Sequence, residues 1–375
     1  MIKRLHVLIL GLFLLPMLTP GLVEARSGPV VLESSVQAGF PSQLSFSLAV
    51  ENDVDITDIR LSYQVERTGF ARVTSEVYIE FTPDTLVEVE WALDMRKTGG
   101  FPPGSVVWYW WTVTGAGGGR VATSPEKVSF DDTRYSWRSL TDNSVTLYWY
   151  QGDDAFAHRL MTSVRQALTR LKTSTGAQPE NPVSIYIYAD AGDLQGAMIY
   201  PQEWTGGVAF TRYDTIAIGI NPANLQWGER AIAHELTHLV IHQITLNPYG
   251  GLPTWLDEGL AMYTEGDLEP QLAAYLETAQ QQGGLISVRS LASPFSAYAG
   301  EATLSYTQSH SVVEYLIGSY GQSKMLDLLL TFKEGSGYDT ALEKVYGFDM
   351  DDLDAEWKDY IGEGKYLSLK GSGLF

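Results

Sequence analysis

The sequence predicts two folded units, an N-terminal all-β sandwich followed by a C-terminal α+β unit, and three observations carry that prediction. Up to Phe130 the apolar residues alternate with polar ones in short runs broken by Asn, Asp, Gly and Pro. Beyond Asp131-Asp-Thr-Arg-Tyr-Ser-Trp137 the periodicity turns mixed, with helical stretches between short strands. Within that second part lies Ala231-Ile-Ala-His-Glu-Leu-Thr-His-Leu-Val240, an amphipathic helix whose chemistry-bearing residues share one face.

Met1 to Ala25 has Lys3 and Arg4, an apolar run from Val7 to Leu15, and Val23-Glu-Ala25 before Arg26. This is the pattern of a secretory signal peptide cut after Ala25, with an apolar core too short for a comfortable membrane span. The expected mature protein is secreted or extracytoplasmic, with no integral membrane contact. The chain has no cysteine, so neither a disulfide nor a lipid-bearing N-terminal cysteine is available. Its net charge of −20 becomes −21 without Lys3, Arg4 and Glu24, which disfavours nucleic acid and anionic lipid as partners.

In the first unit, residues 26–130, strands are expected at Gln43 to Val50, Ile59 to Val65, Val77 to Phe81, Leu86 to Trp91 and Val106 to Val113. About seven strands in roughly a hundred residues suggest an immunoglobulin-like or fibronectin-like sandwich. Trp108 and Trp110 share a strand face and are expected to fill its core, with Trp111 turned the other way, toward the second unit. A cell-surface ligand for this unit stays open.

In the second unit, residues 131–362, Val145 to Tyr150 reads as a strand and Asp153 or Asp154 as the cap of a helix carrying Phe156, Leu160, Met161, Val164, Leu168 and Leu171. Val183 to Tyr188 is a further strand, and Gly206 to Phe210 with Thr215 to Ile220 a hairpin. Asn221-Pro222 and Gly228 then punctuate the start of the central helix. His234 and His238 are one turn apart, where two imidazoles can grip one metal ion, and Glu235 points about 100° around the helix. In this composition a chance His-Glu-x-x-His is expected on the order of 0.006 times, so the motif favours function.

A catalytic zinc takes three protein ligands and keeps a fourth position open. After the turn Asn247-Pro-Tyr-Gly-Gly251, Thr254 can cap a helix that carries Glu258 one turn inside, and two antiparallel helices would return Glu258 to the histidines. His242, eight residues from His234, would stand about 12 Å along the axis, too far to share an ion with it, and reads as a partly buried neighbour.

His-Glu-Leu-Thr-His, with nineteen residues between His238 and Glu258 in Trp-Leu-Asp-Glu-Gly-Leu-Ala, resembles the gluzincin metallopeptidases, in particular the peptidase MA metallohydrolases related to the aminopeptidase N catalytic domain. The resemblance runs from about Tyr135 to Ile361. It implies one catalytic zinc on His234, His238 and Glu258, Glu235 as general base, a peptide or protein substrate, and an edge strand near Gly207 to Phe210 that pairs with substrate backbone. It also implies that Tyr306, heading a helix from Ser305 to Ile317, donates its hydroxyl to the oxyanion; His310 is the other candidate. One departure stands out. Aminopeptidase N relatives bind the free substrate amine with the glutamate of Gly-x-Met-Glu-Asn, and this chain has Gly196-Ala-Met-Ile-Tyr200. Endopeptidase action is therefore slightly favoured over aminopeptidase action.

Pro270 opens and Gly283-Gly284 ends a later helix. Asp349, Asp351, Asp352 and Asp354 lack the glycine and distal glutamate of a calcium loop and read as caps of a helix with Leu353, Trp357, Tyr360 and Ile361. Residues 363–375 form a Gly- and Ser-containing tail expected to be flexible. Two other function classes remain. One is a surface binding or adhesion protein with a non-catalytic zinc site; the other is a zinc hydrolase of a non-peptide amide or ester.

Overall fold

A computed structural model describes residues 28–202, 205–296 and 299–362. The expected signal segment and the C-terminal tail beyond Gly362 lie outside the described residues.

Eight strands fill the first part: β1 (Val30–Gly39), β2 (Gln43–Glu51), β3 (Ile56–Val65), β4 (Thr74–Tyr78), β5 (Leu86–Asp94), β6 (Ser105–Gly115), β7 (Arg120–Ala122) and β8 (Glu126–Phe130). They form one antiparallel sheet in the order β1-β2-β5 and another in the order β4-β3-β6-β7, with β8 also paired to β6. One core joins them, with Phe46, Leu48, Ile59, Leu61, Tyr109 and Trp111 almost wholly buried. The β6 face is the reverse of the one expected. Val107, Tyr109, Trp111 and Val113 point into the core, while Trp108 and Trp110 lie half-buried on the outer face and Trp108 donates Nε1–H to Glu66. Alternation fixes which residues share a face but not which face is inner.

The second part begins with β9 (Arg138–Asp142) and β10 (Val145–Trp149), then α1 (Asp154–Thr175), β11 (Val183–Tyr188), the short α2 (Ala191–Gln195), β12 (Gly207–Phe210) and β13 (Thr215–Gly219). The strands form a sheet in the order β12-β13-β11-β10-β9, parallel across β13-β11-β10 and antiparallel at both rims. Helices follow: α3 (Leu225–Thr245), α4 (Thr254–Glu265), α5 (Pro270–Gln281), α6 (Ala299–Lys333), α7 (Tyr338–Val345) and α8 (Met350–Gly362).

Several starts and stops have plain causes. Asp153 accepts from the Phe156 N–H to cap α1, and Asn221 accepts from Ala223 N–H to cap the turn that leads into α3. Thr254 does not cap α4; it is the first helical residue, after Pro253, and its hydroxyl bonds the Ala292 carbonyl. A proline at that position presets the backbone, so a side-chain cap is dispensable. The helix expected over Ser305 to Ile317 is part of the much longer α6, broken only by Gly321, whose φ of 83° is left-handed. Tyr306 therefore lies two turns inside α6 instead of heading it. Asp349 caps α8 by accepting from Asp351 N–H and Asp352 N–H, as the aspartate cluster suggested.

The two parts are fastened together. Buried Asp132 receives the Arg134 guanidinium and the Tyr188 hydroxyl, and an aromatic cluster including Tyr135, Trp137, Tyr150 and Tyr186 covers the sheet face away from α1 and α3. Thr68, between β3 and β4, bonds the Arg212 carbonyl through its N–H and Asp214 through its hydroxyl, pinning the β12–β13 turn.

Candidate metal centre

α3 is held by its apolar face. Ile232, Leu236, Leu239 and Val240 are almost wholly buried, and each such side chain contributes about 1.5–3 kcal/mol on leaving water. That burial offsets the cost of keeping His234, Glu235 and His238 half-buried on the opposite face. α4 packs back across α3 after the Asn247 turn, where Asn247 Oδ1 accepts from Tyr249 N–H and Gly250 N–H. Gly259 allows α4 to approach α6 closely: a Cβ there would lie 2.5 Å from the Ser309 carbonyl oxygen. This sets Glu258 against the histidines and brings Tyr306 alongside.

The donor atoms converge. His234 Nε2 and His238 Nε2 are 3.1 Å apart, and Glu258 Oε2 lies 3.5 Å from the first and 3.4 Å from the second. Four-coordinate zinc with bonds of about 2.0–2.1 Å separates its ligands by about 3.3–3.4 Å, so the triangle fits such an ion. The outer nitrogens are held as well. His234 Nδ1 is 2.8 Å from Glu265 Oε1, and His238 Nδ1 is 3.0 Å from Asp257 Oδ1. Both carboxylates accept an Nδ1–H, which leaves the Nε2 lone pairs facing each other and the Glu258 carboxylate. Three lone pairs in so small a space suit a dication and repel one another without it.

The surrounding carboxylates make the field at the rings negative, which favours a positive charge there, whether proton or metal ion. Burial presses the His234 ring toward neutrality, yet Glu258 and Glu265 outweigh it and lift its pKa to about 9; Asp257 does the same for His238, well above the usual histidine range. Burial pushes Glu258 up, but the two imidazoles hold it down at about 2. Burial raises Glu235, and it raises Tyr306 to about 12, helped by the charges of Glu258 and Glu235. The Tyr306 ring packs edge-on to Phe295 at 5.2 Å.

His242 stands outside the triangle, its Nε2 3.0 Å from Asp257 Oδ2. His310 is buried in α6, its Nε2 3.2 Å from the Gly266 carbonyl, a core position and not one facing the cluster. Gly196 to Tyr200 follow α2 toward the β-rich part, where Ile199 lies against Gly100. Two residues went unnoticed in the sequence, Asp257 and Glu265. Their signal was there: Asp257 adjoins Glu258, and Glu265 follows it by seven residues, two turns along the same face.

β12 completes the surroundings. It is the rim strand of its sheet, and a Cβ on Gly207 would sit 2.9 Å from Glu235 Oε1, so the strand and the carboxylate touch.

The sequence profile of the Peptidase MA superfamily matches residues 163–363, just over half of the chain. The chain belongs to the peptidase MA superfamily. Membership supports a gluzincin-type zinc metallopeptidase, a hydrolase, with peptides as the substrate class and His234, His238 and Glu258 as a group that could hold the metal. No curated protein matches. Among solved structures, an M1 zinc metallopeptidase from Deinococcus radiodurans is similar at 13% identity over 88% of this chain and 93% of that one, with a TM-score of 0.37. A carbohydrate-binding module family 56 β-1,3-glucan binding domain is 16% identical over 27% of this chain and 99% of its own, at 0.17, and OgpA from Akkermansia muciniphila is 10% identical over 28% of each chain, at 0.22. Among the described residues no helix is long and apolar enough to cross a membrane.

Proposed function

We propose that this protein is a secreted zinc peptidase that hydrolyses peptide bonds within a chain more readily than at its N-terminus. The observation that carries this reading is the triangle of His234 Nε2, His238 Nε2 and Glu258 Oε2, with Glu235 next to His234 on the same helix. Zinc bound there would polarise a substrate carbonyl and acidify water at neutral pH.

The chain's own residues do the remainder. Glu235, held half-buried against Gly207, accepts a proton as water attacks and delivers it to the departing amine. Burial raises its pKa above the usual carboxylate range, which makes it a stronger base. Tyr306 keeps its proton up to about pH 12 and donates its hydroxyl to the developing oxyanion. The free rim of β12 offers backbone N–H and C=O groups to an extended peptide, which favours peptides over small amides or esters. Ile199 replaces the glutamate of the motif Gly-x-Met-Glu-Asn and packs against the β-rich part, which disfavours aminopeptidase action.

The residue 26–130 unit is read as an immunoglobulin-like sandwich that supports the rim of the groove, and the residue 131–362 unit as the peptidase domain. The decisive test measures zinc content and cleavage of an unstructured protein for the wild type and for Glu235→Gln. Both should hold one zinc and only the wild type should cleave, with new termini inside the chain. Carefully prepared wild type that holds no zinc would sink the proposal.

A further inference from the structure

A cavity of about 370 Å³ opens between the β12–β13 turn and the end of α3, lined by Thr68, Thr211, Arg212, His242, Asn247 and Tyr249 among others. It lies where three segments meet: the β3–β4 loop, the β12–β13 turn and the α3–α4 loop. β12 and α3 both lead to it from the metal cluster. Gly206 lies under the Trp227 ring and Gly207 against Glu235, so the strand runs along the helix in the same direction. From Gly207 to Phe210 is about 10 Å at strand rise, and from His234 to His242 about 12 Å at helix rise. The cavity is thus about three extended residues from the reacting bond.

Its charge is exceptional in a chain of net −20. Most arginines elsewhere hold carboxylates, as Arg134 holds Asp132 and Arg289 holds Asp339 and Asp351, while Arg170 is held by the Thr264 carbonyl. Arg212 makes no ion pair among the described residues, nor do Arg67 and Arg72, which line the adjoining hollows. Glu66 and Asp214 line the adjoining hollows with Arg67 and Arg72 and keep their charge, but they lie outside the cavity and are held by neutral donors. Glu66 accepts from the Trp108 ring, Asp214 from Thr68 and Gln243, and Asp257 lies behind His242. No carboxylate lines the cavity itself.

We propose that this cavity is a substrate subsite for a carboxylate of the bound peptide, anchored by Arg212, a reading that rests on the peptidase function proposed above. The carboxylate has two sources. It is either an Asp or Glu side chain about three residues from the cleaved bond, or the C-terminal carboxylate of a short leaving fragment. A planar, permanently charged guanidinium suits either, and the Thr211 hydroxyl borders the same space, whereas the Thr68 hydroxyl is donated to Asp214 and the Asn247 amide to backbone carbonyls.

The test uses zinc-loaded full-length protein and uncharged peptides in which one Gln is exchanged for Glu at each position around the cleaved bond, each made with a free and an amidated C-terminus. The wild type should favour one Glu position, or the free C-terminus, by about tenfold in kcat/KM. Arg212→Ala should collapse that ratio toward one, and Arg120→Ala, on the outlying β7, should leave it intact. Equal cleavage of acidic and neutral peptides, or a ratio that survives Arg212→Ala, overturns the subsite while the peptidase reading stands. Failure of the wild type to cleave any peptide removes both.

Discussion

Glu265 gives the sharpest handle on how the metal cluster is built. Its Oε1 is 2.8 Å from His234 Nδ1, and its other oxygen is 3.0 Å from the Arg230 guanidinium, which also reaches Glu269 at 3.1 Å. The side chain is only 10% exposed, so water cannot readily take its place. Glu265→Ala would leave the His234 ring free to rotate about the bond that aims Nε2, and would remove the anion that makes the ring a stronger donor. It would also leave Arg230 with one carboxylate instead of two, adding positive potential near a dication. Losing such an outer partner typically costs about 10- to 100-fold in metal affinity, equivalent to about 1.4–2.7 kcal/mol. Competition against a chelator of known zinc affinity, at fixed pH and salt, measures it directly. Glu265→Gln, whose amide oxygen can still accept the Nδ1–H, should fall between the wild type and the alanine variant. Affinity for Glu265→Ala within about threefold of wild type, in protein that melts cooperatively, would refute the idea that this carboxylate aims the ligand.

Two further outcomes follow from the same geometry. Tyr306→Phe should keep its zinc and lose about 100- to 1000-fold in turnover, with the alkaline side of the pH profile unmoved below about pH 11, because a phenol raised to about 12 is still protonated there; a loss under about tenfold removes the oxyanion role. Gly207→Ala places a methyl 2.9 Å from Glu235 Oε1, so turnover should drop about 10- to 100-fold at unchanged zinc stoichiometry, whereas full activity would mean that Glu235 works from a different position.

Much of this molecule could be read from residue types and spacing, and the limits of that reading are physical. The shared face of His234 and His238, with Glu235 beside them, was legible because a helix fixes i, i+1 and i+4 directions without reference to anything else, and Glu258 was reached through the expected helical hairpin and the family resemblance. Asp257 and Glu265 were not legible, since their reach to the outer imidazole nitrogens depends on how far α4 is rolled against α3. That roll is set by packing, including the contact Gly259 permits with α6. The inner face of β6 escaped for a related reason: Trp108 and Tyr109 are both large and apolar, so the alternation carried no label for inside. β1 escaped because Val30 to Gly39 buries little on either face. β9 escaped because its five residues are nearly all polar and gain their place by pairing with β10.

A strand left open so that it can take up a peptide is also open to a second copy of its own chain. Unpaired rims are where folded proteins stick to each other, and natural sheets protect them by keeping them short, bent or charged. β12 is four residues long, begins at a glycine, and is boxed in by α3 on one side and the pinned Thr68 loop beyond its far end. Only an extended segment that can thread between those walls has access, and another folded copy would bring twenty negative charges of its own to the encounter. The acidity that says little about substrate thus has a colloidal role: it keeps folded molecules apart although the rim of β12 is unpaired.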